Sequence, residues 1–380
     1  MLFRSDSYWM GLALELASRG RGFVEPNPMV GCVIVENDDL LSSGYHSYFG
    51  GPHAEVEAIS RCDPNRVPNS SVYVTLEPCS HFGKTPPCVD LLLRHRPKRV
   101  VIAIRDPYKE VAGRGIQTLR ENAIMVDVGI LEDRARDLNA PYFKLLETAM
   151  PWLVAKWAMT LDGAIATQGR DSKWISNERS RYVVHEIRSG MDAIVVGIGT
   201  AIADDPLLTT RLQPGTSPAR VALRVILDRN CRLPPQSKLV QSLEAGPVMV
   251  AASELADPAR VSTLAVAGCE ILHIPEQMLS CSLSFVLSEL GKRRHTNVLL
   301  EGGGTLLGHA FDEKLVDHVH CFIASKIIGG SGAVRPIAGD GIALMSQAMQ
   351  LDGVAVEKLG DDVHIQGRVL KSNLGQSIRN

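Results

Sequence analysis

Short runs of Val, Ile and Leu alternate with amphipathic stretches along most of the chain, and this alternation constrains the fold more than any other feature. Met10, Ala13, Leu14 and Ala17 fall at i, i+3, i+4 and i+7, the spacing of one helical face. After the break at Asn27-Pro28, residues 30–35 read as a buried strand. A helix over 53–60, a strand over 71–76, a helix over 88–95 and a strand over 99–104 follow. A helix over 115–122 and a short strand over 125–128 complete the series. Strands that alternate with helices imply a mostly parallel sheet covered on both faces.

The pattern changes at a polar-aromatic stretch, Asn139-Ala140-Pro141-Tyr142-Phe143-Lys144. We expect a domain boundary there: one α/β domain over 1–148, a second over 149–370 and a polar tail over 371–380. The second half carries strands at 153–158, 193–196, 221–227, 247–251, 297–300 and 318–323, with a helix over 176–189. Residues 213–219 read as a solvated loop. A length of 380 residues gives each half enough chain to bury its own core.

Lys+Arg 40 against Asp+Glu 42 leaves a net charge of −2, which argues against nucleic acid as a partner. No run approaches the roughly 18 apolar residues of a membrane helix. Arg4, Asp6 and Glu15 make a poor signal peptide, so a cytoplasmic location is the expectation. The eight cysteines then need a reading other than disulfides. Cys32, Cys62, Cys231, Cys269, Cys281 and Cys321 stand singly and read as small buried hydrophobes.

Cys79 and Cys88 differ. Pro78-Cys79 ends a strand, Cys88 opens a helix behind Pro86-Pro87, and an H-x-E triplet, His53-Ala54-Glu55, stands upstream. One imidazole and two thiolates hold a tetrahedral Zn²⁺ with a fourth position left for water. The metal lowers that water's pKa, and a carboxylate that is not a ligand shuttles protons to the leaving ammonia. His53, Cys79 and Cys88 are therefore the expected ligands of one Zn²⁺ per chain, with Glu55 as the proton shuttle. Zinc deaminases carry H-x-E and P-C-x-x-C. Here eight residues separate the two cysteines, so the ligand set stands while the local spacing departs.

Three segments carry a longer resemblance: Glu25-Pro26-Asn27-Pro28-Met29-Val30-Gly31-Cys32, His53-Ala54-Glu55-Val56, and the run from Thr75-Leu76-Glu77-Pro78-Cys79 through Ser80-His81-Phe82-Gly83-Lys84-Thr85 to Pro86-Pro87-Cys88. Asp106-Pro107 and Ala112-Gly113-Arg114-Gly115 extend it. The chain resembles the bifunctional deaminase–reductase family of riboflavin biosynthesis, in which the longer cysteine spacing is usual. The resemblance implies a cytidine-deaminase-like α/β/α domain followed by a dihydrofolate-reductase-like α/β domain. It also implies a phosphorylated pyrimidine substrate, 2,5-diamino-6-ribosylamino-pyrimidinone 5-phosphate, contacted by Asn27, His46, His81, Lys84 and Asp106. Met29, Phe82 and Tyr108 depart from the family's commoner residues.

In the second half, Glu301-Gly302-Gly303-Gly304-Thr305-Leu306-Leu307-Gly308 follows an apolar strand and precedes a helix. Such glycines suit either a phosphate cradle or a tight strand–helix turn. Lys156-Trp157-Ala158-Met159-Thr160-Leu161-Asp162-Gly163, Asp171-Ser172-Lys173-Trp174 and Gly197-Ile198-Gly199-Thr200 resemble the reductase half of the same family. The stretch Asp204-Asp205-Pro206-Leu207-Leu208-Thr209-Thr210-Arg211 does so too. The resemblance implies NADPH, held by Ala158, Trp174, Thr200, Asp204 and a loop of Gly303, Gly304, Thr305, Leu306, Leu307, Gly308 and His309. It implies that Ser172, Arg188, Leu208, Arg211 and Glu301 contact the substrate, whose ribosyl group is reduced to ribityl, and that Asp204 assists protonation. Arg229 would favour the 2′-phosphate of the cofactor. A homodimer is the family expectation. The competing reading is a zinc nucleoside or tRNA deaminase with an inactive reductase-like second half.

Overall fold

Ser5 caps the first helix, α1 (Asp6–Ser18), by accepting the Tyr8 amide at 3.3 Å, and Asp6 adds a favourable negative charge to its first turn. The buried residues Trp9, Met10, Ala13, Leu14 and Ala17 form one stripe of that helix. The computed structural model describes residues 4–82, 86–213, 216 and 219–371, and its backbone separates into two units, Met1–Met150 and Pro151–Asn380.

After α1 the first unit runs β1 (Gly31–Glu36), β2 (Asp39–Tyr45), α2 (Ala54–Ser60), β3 (Ser71–Val74), α3 (Cys88–His95) and β4 (Arg99–Ile102). It ends with α4 (Arg114–Glu121), β5 (Met125–Val128), α5 (Glu132–Leu138) and α6 (Ala140–Thr148). The sheet order is β2-β1-β3-β4-β5. Period-two alternation sorts its side chains into two cores. Cys32, Ile34, Val72, Val74, Val100 and Ile102 meet α2, α3 and α4 on one face. Val33, Val35, Tyr73 and Val101 meet α1, Ala135 of α5 and Phe143 of α6 on the other.

One expectation needs correction here. The sheet is mixed, because β1 pairs antiparallel with both β2 and β3. Strand β2 gave no signal since its buried side positions are Ser42 and Gly44, which carry no apolar alternation. Gly44 is required, because a Cβ there would strike the backbone of α2 at Ala54 and Ala58. Residues 138–150, where the domain boundary was expected, form the end of α5 and all of α6, and α6 buries Ala140 and Phe143.

The second unit runs β6 (Trp152–Thr160), α7 (Glu178–Ser189), β7 (Ala193–Gly197), α8 (Ile198–Asp204), β8 (Leu223–Leu227), α9 (Lys238–Gln241) and β9 (Val248–Ser253). It continues with α10 (Pro258–Val266), β10 (Glu270–Ile274), α11 (Ser282–Lys292), β11 (Asn297–Glu301), α12 (Gly304–Asp312) and β12 (His318–Ala324). A hairpin, β13 (Leu351–Leu359) and β14 (Asp362–Val369), closes it. The sheet order is β10-β9-β8-β7-β11-β6-β12-β14-β13, parallel up to β12 and antiparallel at the hairpin. The hairpin was not legible because β13 is exposed along most of its length.

This topology positions a site. From β7 the chain leaves through α8 toward β8, whereas from the adjacent β11 it leaves through α12 toward β12 on the other side. Neighbouring parallel strands whose connections diverge leave a crevice at their carboxyl ends, the usual ligand site of such sheets.

Candidate active sites

In the first unit, α2 begins at His53 as its N-cap, and α3 begins with Cys88. Cys79 lies in the turn after β3, where its sulfur accepts the Cys88 amide at 3.3 Å and its carbonyl accepts the Val89 amide at 3.2 Å. His53 Nδ1 stands 3.3 Å from Cys88 Sγ and 3.5 Å from Cys79 Sγ. Tetrahedral zinc with ordinary Zn–S and Zn–N lengths separates N and S ligands by about 3.6 Å. The three ligand atoms lie within 4.8 Å of one another, and theirs is the one such His/Cys/carboxylate group among the described residues. The Cys88 thiol, and then His53, hold the Cys79 thiol down at about 4 against its burial, so one thiolate is ready for a cation. Glu55 sits in the first turn of α2, outside the ligand group and buried. Burial pushes its carboxyl above the usual carboxylate range, which suits a group that must both take and give a proton.

The structure brings Asn27 to His46, and brings His81 and Asp106 each to Tyr108. His46 Nδ1 donates to the Pro52 carbonyl at 2.8 Å, which leaves Nε2 to accept from Asn27 Nδ2 at 3.4 Å. Burial lowers the His46 pKa, which favours the neutral ring. The His81 ring packs on Tyr108 with centroids 5.6 Å apart, and His81 Nδ1 is buried with no partner among the described residues. Asp106 is buried and accepts the Tyr108 amide at 2.9 Å. Lys84 lies outside the described residues. Of the departures, Met29 is a core residue, Phe82 is exposed and Tyr108 faces His81.

Three supporting residues escaped the sequence reading. Glu77, the residue before Pro78, is buried and accepts the amides of Asp106, Gly113 and Ile116 at 3.3, 3.0 and 3.3 Å. It thereby ties the strand end that carries Cys79 to the Asp106 loop and the start of α4. Asn139 and Tyr142 bring α6 to the same region: Asn139 bonds both the N–H and the C=O of Met29, and Tyr142 donates to Asp106. No motif spacing announces such contacts between distant segments.

In the second unit, Thr200 of α8 and Gly303, the N-cap of α12, meet across the crevice: the Gly303 amide donates to Thr200 Oγ1 at 3.0 Å. Ser172 donates to Asp204 at 3.3 Å. Arg188 grips Glu301 with two bonds, Nε–Oε1 at 2.6 Å and Nη2–Oε2 at 2.8 Å, and spends Nη1 on the Thr209 carbonyl at 3.2 Å. Lys156, in register with Glu301, adds Nζ at 3.6 Å. Burial alone would raise the Glu301 carboxyl, but Arg188 and Lys156 bring it down to about 2. Burial lowers the Lys156 ammonium pKa. Lys156 carried no assigned role in the sequence reading, although it stood in a quoted motif. His185 accepts the Arg211 amide at 3.2 Å, which fixes the loop after Leu208. The indole of Trp174 is exposed beneath the Arg181 guanidinium at 4.7 Å. Ala158 packs beside Phe322 and α7, and Arg229 is exposed just beyond β8.

The expected loop over 303–309 is corrected. Only Gly303 precedes the helix; Gly304, Thr305, Leu306, Leu307, Gly308 and His309 belong to α12. Leu307 is fully buried and its amide bonds the Gly303 carbonyl at 3.3 Å. Gly304 and Gly308 stand one turn apart, where a Cβ would strike the carbonyls of Arg335 and Ala338. They serve the close approach of residues 335–338, so an anion could meet only the amides of the first turn.

Residues 3–104 match the family model of the cytidine and deoxycytidylate deaminase zinc-binding region, and residues 151–365, more than half the chain, match the RibD C-terminal domain. The chain belongs to the RibD family. The riboflavin biosynthesis protein RibD of Actinobacillus pleuropneumoniae is 38% identical over 360 residues, covering 94% of each chain. Acinetobacter baumannii RibD, in one of its solved forms, superposes with a TM-score of 0.84 at 36% identity, over 96% of this chain and 99% of that one. A Thermotoga maritima structure, described as a diaminohydroxyphosphoribosylaminopyrimidine deaminase/5-amino-6-(5-phosphoribosylamino)uracil reductase, gives a TM-score of 0.80 at 34% identity over 96% of this chain and 98% of that one. Like its RibD relatives, this chain is a bifunctional enzyme of riboflavin biosynthesis, with a cytidine-deaminase-like zinc-binding domain followed by a reductase domain. A nucleoside or tRNA deaminase with an inactive second half is not favoured, because the likeness spans both halves. Among the described residues no helix is long and apolar enough to cross a membrane.

Proposed function

We propose that the first unit hydrolyses the ring amine of 2,5-diamino-6-ribosylamino-pyrimidinone 5-phosphate, and that the second reduces the ribosyl group of the product to ribityl with NADPH. The activities named for the Thermotoga maritima relative support this substrate and order. The observation that carries the reading is the His53–Cys79–Cys88 triangle with buried Glu55 beside it.

A Zn²⁺ held by those three side chains supplies Lewis acidity that makes water nucleophilic at neutral pH. Glu55 takes a proton on its carboxylate and returns it to the departing ammonia, which its raised pKa allows. Asn27, His46 and His81 orient the pyrimidine, and His81 Nδ1, buried with no partner among the described residues, needs one. Lys84 anchors the 5-phosphate. In the second unit the Gly303 amide and Thr200 hydroxyl border the phosphate end of the NADPH site, with Trp174 and Ala158 along it. NADPH contributes the hydride. Asp204, oriented by Ser172, supports proton delivery to the opened sugar. Since Arg188 is committed to Glu301, the sugar phosphate falls to Arg211. The Arg188–Glu301–Lys156 cluster forms the charged floor.

Cys79→Ala removes one of three ligands and should empty the metal site, abolishing deamination while reduction of pre-formed deaminated substrate continues. Zinc is read by atomic absorption on the purified full-length protein. Stoichiometric zinc in Cys79→Ala would contradict the ligand assignment.

A further inference from the structure

We infer that Tyr142 is a positioning residue for deamination, orienting the Asp106 carboxylate toward the substrate. The inference rests on the reading that Asp106 contacts that substrate. Asp106 is only 7% exposed, and its hydrogen bonds are unevenly shared. Oδ1 accepts the Tyr108 amide at 2.9 Å and the Tyr142 phenol at 3.0 Å. Among the described residues Oδ2 has only the far side of the same phenol, at 3.4 Å. One oxygen is thus saturated, and the other keeps its lone pairs for an incoming donor.

The support is rigid because α6 is itself fixed. Phe143, next along the helix, is buried in the core, and its ring meets Tyr142 edge-on at 5.9 Å. One turn earlier Asn139, 1% exposed, clamps the backbone of Met29, taking its N–H at 2.8 Å and donating to its C=O at 2.9 Å. Met29 stands two residues after Asn27. A single helix therefore braces both the Asn27 segment and the Asp106 carboxylate. It lies beyond residue 104, where the match to the zinc-binding region ends.

Among the described residues the ionisable groups that bear on Asp106 are Glu77, His81 and the Tyr142 phenol. Burial raises the Asp106 carboxyl, and the hydrogen bonds from the Tyr108 amide and then the Tyr142 phenol partly offset that. Removing the phenol oxygen should raise the carboxyl further and move the acid limb of deaminase kcat/KM to higher pH.

Tyr142→Phe keeps the ring and deletes only the hydroxyl. We expect unchanged zinc content, thermal midpoint and reductase rate, with the deaminase KM raised about threefold to tenfold, the scale of one hydrogen bond. The kcat should stay within about twofold. In an Asp106→Asn background the same change should add nothing, since the carboxylate it orients is gone. An unchanged KM and acid limb would overturn the inference, as would an additive effect in that background. Parallel loss of zinc, thermal midpoint and both reactions would mean a purely structural role and would overturn it as well. If Asp106→Asn alone left the deaminase KM unchanged, the substrate-contact reading would fail and the inference with it. If Asp106→Asn raised KM while Tyr142→Phe was silent, the inference alone would fail.

Discussion

Glu55→Gln should keep its zinc and lose roughly 10²–10⁴-fold in deamination rate, the usual share of general acid–base catalysis. Three observations set this expectation. Glu55 lies outside the group of three ligand atoms, so its removal leaves the metal site intact. It is buried in the first turn of the helix that His53 caps, so the amide of Gln fits the same space. Its carboxyl, raised by burial, can exchange a proton, which the amide of Gln cannot. The reductase rate should not change, since Glu55 belongs to the first unit. Steady-state deamination by the zinc-replete variant decides it, and a rate within tenfold of the parent would remove Glu55 from the proton path.

Glu301→Ala should be the most damaging single change in the second unit. Arg188 and Lys156 would be left buried without their counter-charge, and breaking such a pair costs about 3–5 kcal/mol. The carboxyl, about 2 in the folded chain, has an ordinary value of 4.5, so its folded pKa is depressed. Its stabilising contribution is therefore full above about pH 4.5 and is lost as the pH falls toward 2. Urea unfolding should show a large gap between parent and variant at neutral pH that narrows through this acid window. Reduction should fail in the same variant while deamination persists. A stability difference under about 1 kcal/mol at neutral pH would mean that the cluster is solvated rather than buried.

The alternation of strands and helices made both sheets legible, because the central strands β1, β3, β4, β7, β8 and β11 are mostly apolar and buried. Edge elements were not legible: β2 turns Ser42 and Gly44 inward, and β13 turns almost nothing inward. Helix α6 was hidden by Pro141 and by the polar residues of the stretch where the domain boundary was expected, yet Pro suits a first helical turn. The metal triangle was readable since its chemistry demands rare residue types. The partnerships that support it were not: nothing local pairs Arg188 with Glu301, Asn139 with Met29 or Tyr142 with Asp106, segments 113, 110 and 36 residues apart. Folding alone creates those contacts, and they give Arg188, expected among the substrate contacts, a buried carboxylate partner in Glu301.

The central claim is that two chemically separate sites in one chain act in sequence on one phosphorylated substrate. Incubation of the zinc-loaded full-length protein with the diaminopyrimidinone phosphate, followed by mass spectrometry, tests it most directly. Without NADPH the only product should be the deaminated compound, in which a ring amine has become a carbonyl. With NADPH that compound should gain two hydrogens, and Glu55→Gln should yield neither product at a comparable rate. Reduction of the aminated substrate without prior deamination, or deamination that persists in the zinc-free Cys79→Ala protein, would contradict the account.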